Sequence, residues 1–126
     1  MLTIQDRWEG SCLIVRVEGR MAFDTIHALN HYLQRQFDPR PPSVLVLSLA
    51  GVDQMDSSGI GLLVATRNLI NRNMGRFCIC GVQNRVLDTF QRMNLLTYFS
   101  VFGSEDEALA ACMHQEVTAS IPLSER

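Results

Sequence analysis

Four consecutive residues, Asp56-Ser57-Ser58-Gly59, place a carboxylate and two hydroxyls between two apolar runs. The first run, Val44-Leu45-Val46-Leu47, is long enough for a strand covered on both faces, and Ala50-Gly51 then breaks the pattern. After the polar tetrad, Ile60, Leu62, Leu63 and Val64 resume at helix-compatible spacing. Asp and Ser are preferred at helix starts because their side-chain oxygens accept the first turn's unpaired N–H groups. A helix start of this kind also favours a phosphate, through free N–H donors and the positive end of the helix dipole. The expected arrangement is a buried strand, a short exposed loop, and a helix whose first turn carries two serine hydroxyls. On local chemistry alone, Ser57 and Ser58 serve equally as capping residues, and Asp56 as an acid near the dipole. Gly59 and Gly61 each cost the helix on the order of 1 kcal/mol relative to alanine. Close approach of a partner's backbone or tight helix-on-sheet packing would each account for them.

Other chemistries fit poorly. Asp56–Gly61 does not form the G-x-S-x-G elbow of a serine hydrolase, and no histidine has an evident acidic orienter. His27 and His31 are four apart, but no glutamate occupies the metalloprotease position and no third ligand is evident, so a solvated helix face is expected. Cys12, Cys78, Cys80 and Cys112 show neither metal nor redox spacing, which suits a reducing cytosol, and Cys78 and Cys80 read as buried small hydrophobes. All 11 basic residues are arginine. The absence of lysine excludes a P-loop and a Schiff-base enzyme, and argues against a phosphorelay receiver. No cofactor is implied.

The elements that must position the tetrad follow from periodicity. At 126 residues, 47% hydrophobic and 19% charged, the chain has the composition of one globular domain. A net charge of −2 argues against a nucleic-acid partner, no apolar run approaches a membrane span, and the N-terminus lacks the pattern of a secretory signal. Strands are expected over 2–8 and 12–17, with Leu13, Val15 and Val17 on one side and Gly19 closing the second. A helix capped by Asp24 or Thr25 runs to Phe37, with Ile26, Leu29, Leu33 and Phe37 on one stripe, and ends at the proline-rich segment 38–42. The helix after the tetrad stops near Asn73-Met74-Gly75. A strand over 77–82 follows, then a helix over 84–94 with Val86, Leu87, Phe90 and Met93 inward, then a strand over 98–102. Ser104 and Glu107 form a capping box opening a last helix with Leu109, Cys112 and Met113 inward. Residues 1–116 are read as the domain and 117–126 as a loose tail. The fold class is therefore α/β, with a mixed sheet of four to five strands and about four helices. Functional loops of such sheets sit at the strands' carboxyl ends, as the tetrad does.

The segment from Val44 to Val64, with its D-S-S-G after a buried strand, closely resembles the signature of the STAS family, named for sulphate transporters and anti-sigma factor antagonists. The resemblance extends over about residues 2 to 115, through the element order and the later Phe90 and Met93-Asn94-Leu95. It implies a cytoplasmic partner switch rather than an enzyme. In that family the first serine of the tetrad, here Ser57, is phosphorylated by a partner that is both serine kinase and anti-sigma factor. The unphosphorylated antagonist binds that partner and releases its target, and a PP2C-type phosphatase resets the cycle. Asp53, Met55, Asp56, Ser58, Gly59, Met21 and Asp24 are then expected around the phosphosite and on the partner-binding surface, although core packing accounts for Met21 and Met55 at least as well. The chain departs from the family at Gly19-Arg20-Met21-Ala22, where Gly-Glu-Leu-Asp is common, so that Ala22 stands where the aspartate would fall and Asp24 lies two residues on. The alternative is a constitutive STAS subunit of a multi-protein assembly such as a lipid-transport complex, its serine unmodified. Homodimerisation through an edge strand stays open.

Overall fold

The computed structural model describes the backbone of residues 1–119 and the side chains of residues 1–112. Five strands alternate with four helices in the order β1 (Leu2–Glu9), β2 (Cys12–Met21), α1 (Ile26–Gln36), β3 (Val44–Met55), α2 (Ser57–Arg72), β4 (Arg76–Cys80), α3 (Asn84–Arg92), β5 (Ser100–Phe102) and α4 (Glu105–Ala119). The strands form one mixed sheet in the order β1-β2-β3-β4-β5. The β1–β2 hairpin is antiparallel, turning at Gly10, and the other three pairings are parallel.

Residue alternation along the strands sorts the core into two layers. Leu13, Val15 and Val17 of β2, Leu45, Leu47 and Leu49 of β3, and Phe77 and Ile79 of β4 face one side. Against them pack Leu29 and Leu33 of α1, Leu63 and Ile70 of α2, and Val86 and Phe90 of α3. Cys12, Ile14, Val44, Val46, Cys78 and Cys80 face the other side, which Ala108 and Cys112 of α4 cover. Fully burying a side chain of this size contributes about 1.5–3 kcal/mol, so the thicker three-helix layer supplies most of the hydrophobic stabilisation.

Both central strands run further than the apolar runs indicate. β3 does not stop at Ala50-Gly51 but continues to Met55, because β2 continues beside it: Gly19 pairs with Val52, Arg20 with Gln54 and Met21 with Met55. Gly19 therefore lies inside β2 rather than closing it. Its φ of +113° accompanies one of two register shifts in this pairing, and only glycine adopts such a backbone angle readily. The second-last strand and the third helix are shorter than their apolar patterns, ending at Cys80 and Arg92, and β5 begins only at Ser100. Met93 is half-exposed as the C-cap of α3 instead of facing inward. At the end of α2 the left-handed residue is Met74, φ 63°, rather than the glycine after it.

The last helix starts as a capping box in which Glu107 N–H donates to Ser104 Oγ at 3.2 Å. It runs to Ala119, into the segment read as tail; residues 120–126 and the side chain of Met113 lie outside the described residues. Glu105 ties its first turn to the sheet, accepting from both Arg7 and Arg16. Cys78 is buried as expected, but it is disulfide-bonded to Cys112, joining β4 to α4, which corrects the expectation that the cysteine pattern reflects a reducing cytosol. Their separation of 34 residues leaves no spacing signal in the sequence.

Candidate functional site

The ends of β2 and β3 place two loops side by side. Asp56 N–H donates to the carbonyl of Met21 at 3.2 Å, closing the register immediately before α2. Asp56 is the N-cap of α2, with extended backbone. Its Oδ1 accepts from Ser58 N–H at 2.9 Å and Gly59 N–H at 3.3 Å. Its Oδ2 accepts from Phe23 N–H at 3.0 Å. The Phe23 amide above all, with smaller help from those of Gly59 and Ser58, holds the Asp56 carboxyl below its usual range against desolvation and the nearby Asp24 charge.

This arrangement separates the roles that the sequence left joined. Asp56 caps the helix, so neither serine is needed for it. Ser57 is exposed, and among the described residues its hydroxyl has no hydrogen-bond partner. Ser58 is half-buried. The amide donors of Ser58 and Gly59, expected to be free for an anion, are occupied by Asp56 instead. Gly59 is buried, and a Cβ there would lie 2.7 Å from the Met21 carbonyl oxygen and 2.7 Å from Met55 Cγ. Packing of helix on sheet thus requires glycine at 59. Gly61 is exposed, with nothing within 4 Å of a Cβ built there, so internal packing does not explain it.

Asp53, Asp56 and Asp24 are exposed around this loop, and Met55 is half-buried against the core. Met21 does not belong to the surface. It is fully buried, 0% exposed, because the inward alternation of β2 continues through it. Asp24 forms a two-bond ion pair with Arg20, with Arg20 Nη2 2.7 Å from Asp24 Oδ2 and Arg20 Nη1 3.2 Å from Asp24 Oδ1. The pair holds the Asp24 carboxyl down and raises the Arg20 guanidinium, which Asp53 and Asp56 raise further. Thr25, read as a candidate helix cap, does not cap α1 through its side chain; it bonds the Arg20 and Ala22 backbones.

A family model for the STAS domain matches residues 3–108. The chain belongs to the STAS domain family. The anti-sigma F factor antagonist of Paenibacillus polymyxa is 28% identical over 108 residues, covering 86% of this chain and 92% of that one. Two solved structures share the fold. An anti-sigma factor antagonist from Mycobacterium paratuberculosis superposes with a TM-score of 0.81 at 22% identity, covering 90% of this chain and 95% of its own. The Bacillus cell fate determinant SpoIIAA in its phosphorylated form superposes with a TM-score of 0.69 at 16% identity, covering 86% and 98%.

Two features of this STAS domain surface have no clear sequence signal. Phe23 is 66% exposed, its amide bonded to Asp56. Arg85, Val86 and Thr89 of α3 join Arg20, Ala22, Gln54, Met55 and Asp56 around a hollow of about 420 Å³, bringing a second arginine to the loop. The remaining candidates stay apart from the site. His27 and His31 are exposed on α1, and no cluster of three His, Cys, Asp or Glu side chains able to hold a metal occurs among the described residues. Among the same residues no helix is long and apolar enough to cross a membrane.

Proposed function

We propose that this STAS domain is an anti-sigma factor antagonist working as a phosphorylation-controlled partner switch in the cytoplasm, without enzymatic activity of its own. In its unphosphorylated form it binds a partner that is both serine kinase and anti-sigma factor and so releases that partner's target. Phosphorylation of Ser57 blocks binding, and a PP2C-type phosphatase restores it. The observation that carries this reading is the division of labour at the start of α2: Asp56 caps the helix while the Ser57 hydroxyl is exposed and, among the described residues, unbonded. A hydroxyl free of structural duty can be modified without unmaking the loop that displays it.

The consequence of modification is electrostatic. A phosphate adds about −1.5 to −2 charges to a small surface. Asp53 and Asp56 already lie there, and a docking partner would have to desolvate the new charge beside them. A loss of ~3–4 kcal/mol would weaken binding by roughly two to three decades. The fold is unaffected on this reading, because the Asp56 bonds that fix the loop do not involve Ser57 Oγ. The likeness to the phosphorylated Bacillus relative supports the compatibility of this fold with the modified state.

Affinity purification from the protein's own cells tests the proposal. Wild-type protein and Ser57→Ala should retain a serine kinase that Ser57→Asp does not. Equal retention by the wild type and both variants contradicts a switch at Ser57 and favours a constitutive subunit.

A further inference from the structure

At the opposite end of the sheet from Ser57, where β4 begins, α2, β4 and the approach to β5 enclose a second cavity of about 220 Å³. Its lining includes two arginines, Arg67 and Arg76, together with Asn71, Tyr98 and Ser100, and among the described residues contains no aspartate or glutamate. Arg7, Arg16, Arg20 and Arg92 are all in ion pairs. Arg67 and Arg76 have no carboxylate partner among the described residues.

Arg67 is held in place rather than free to swing. Its guanidinium lies 4.0 Å over the Tyr98 ring, and its Nε donates to the Tyr98 carbonyl at 3.0 Å. Asn68 braces both groups, accepting from Arg67 Nη1 at 3.4 Å and from the Tyr98 hydroxyl at 2.8 Å. The carbonyl end of α2 borders this cavity and would oppose an anion, but its last acceptors are already used. Ile70 O accepts from Asn73 and Gly75 N–H, Asn71 O from Met74 N–H, and Leu69 O from Asn73 Nδ2. Both arginines line the cavity beside neutral amide and hydroxyl groups, and among the described residues Arg67 Nη2 and the whole Arg76 guanidinium have no protein partner.

We propose that this cavity is a binding site for a phosphate-type anion, inorganic phosphate or a small phosphomonoester. Planar guanidinium forks match the oxygens of a tetrahedral oxyanion, and a guanidinium fixed by stacking loses little freedom on binding one. The Asn71 amide and the Ser100 hydroxyl supply further donors, and the volume admits a phosphate with a short organic group. The site is independent of Ser57 and of the partner-switch reading.

A titration of the isotope-labelled full chain with inorganic phosphate, at constant ionic strength set by sodium chloride, tests this by nuclear magnetic resonance. Saturable shifts are expected at the amides of Gly75, Arg76, Phe77 and Ser100. Arg76→Gln should weaken binding at least about tenfold while leaving the spectrum folded, since the backbone bond from Arg76 N–H to Ser43 O does not involve the side chain. Asn71→Ala, a second variant, should weaken binding several-fold. Repeating the titration with glycerol phosphate separates the two sources: tighter binding identifies a phosphomonoester, equal or weaker binding inorganic phosphate. Shifts that never saturate, that are unchanged in Arg76→Gln, or that localise to the Asp56–Gly59 loop overturn the proposal.

Discussion

Asp56 and Phe23, 33 residues apart, are joined by a 3.0 Å hydrogen bond from the Phe23 amide to the Asp56 carboxylate. Through it one side chain caps α2 and fixes the loop between β2 and α1. The exposed Phe23 ring, the Arg20–Asp24 pair and Ser57 are thereby displayed from a single braced corner of the domain. Asp56→Ala removes three hydrogen bonds at once. It should lower the thermal midpoint by several degrees and increase amide exchange at Phe23, Ser58 and Gly59, which exchange-rate measurements would detect.

The same bonds set an acid limit. Because they hold the Asp56 carboxyl below its usual value of 3.8, the folded state binds the proton less readily than the unfolded state. Stability from this group is therefore fully present above that value and lost as pH falls through the lower folded-state value. Glu105, held below 4.5 chiefly by its bond from Arg16, behaves in the same direction. Glu105→Gln should destabilise the domain by about 1 kcal/mol at neutral pH and flatten the fall in stability below pH ~4.5. Denaturant midpoints measured from pH 7 down to 3 would show both effects.

The two glycines of α2 should respond oppositely. Gly59→Ala forces a Cβ against the Met21 carbonyl and should cost about 1–3 kcal/mol. Gly61→Ala meets nothing and should stabilise the free domain by roughly 0.5–1 kcal/mol. If a kinase backbone approaches this turn, Gly61→Ala should also weaken capture of the partner, so that stability and binding move apart. Thermal melts paired with affinity purification distinguish the two effects.

Arg20 and Asp24 form a solvent-exposed pair, whose loss should leave the melting temperature nearly unchanged. Arg20→Glu reverses the charge beside Asp53 and Asp56. It should alter partner capture strongly without a change in fold, measurable as a shift in retained kinase at unchanged circular dichroism.

Much of this corner was legible in the residues and much was not, for physical reasons. The polar tetrad between a buried strand and an amphipathic helix located the helix start, because capping and periodicity are local. The continuation of β3 through Ala50-Gly51 was not legible, since its pairing depends on β2 extending beside it, a long-range condition. Met21 is different: methionine suits a docking surface and a core alike, and inward alternation through Leu13, Val15 and Val17, carried past Gly19, decides for the core. The exposure of Phe23 follows from the loop that Asp56 fixes. The Cys78–Cys112 bond follows from where α4 crosses the sheet. Neither arrangement leaves a trace in local spacing.

The most direct measurement is the intact mass of protein recovered from its own cells, with peptide mapping, against a Ser57→Ala control. A gain of about 80 Da, one phosphate, located on Ser57, is expected under at least one growth condition and should be absent in the control. Phosphate on Ser58 would preserve a switch but contradict its assignment to Ser57, and no phosphate under any condition would contradict the switch itself.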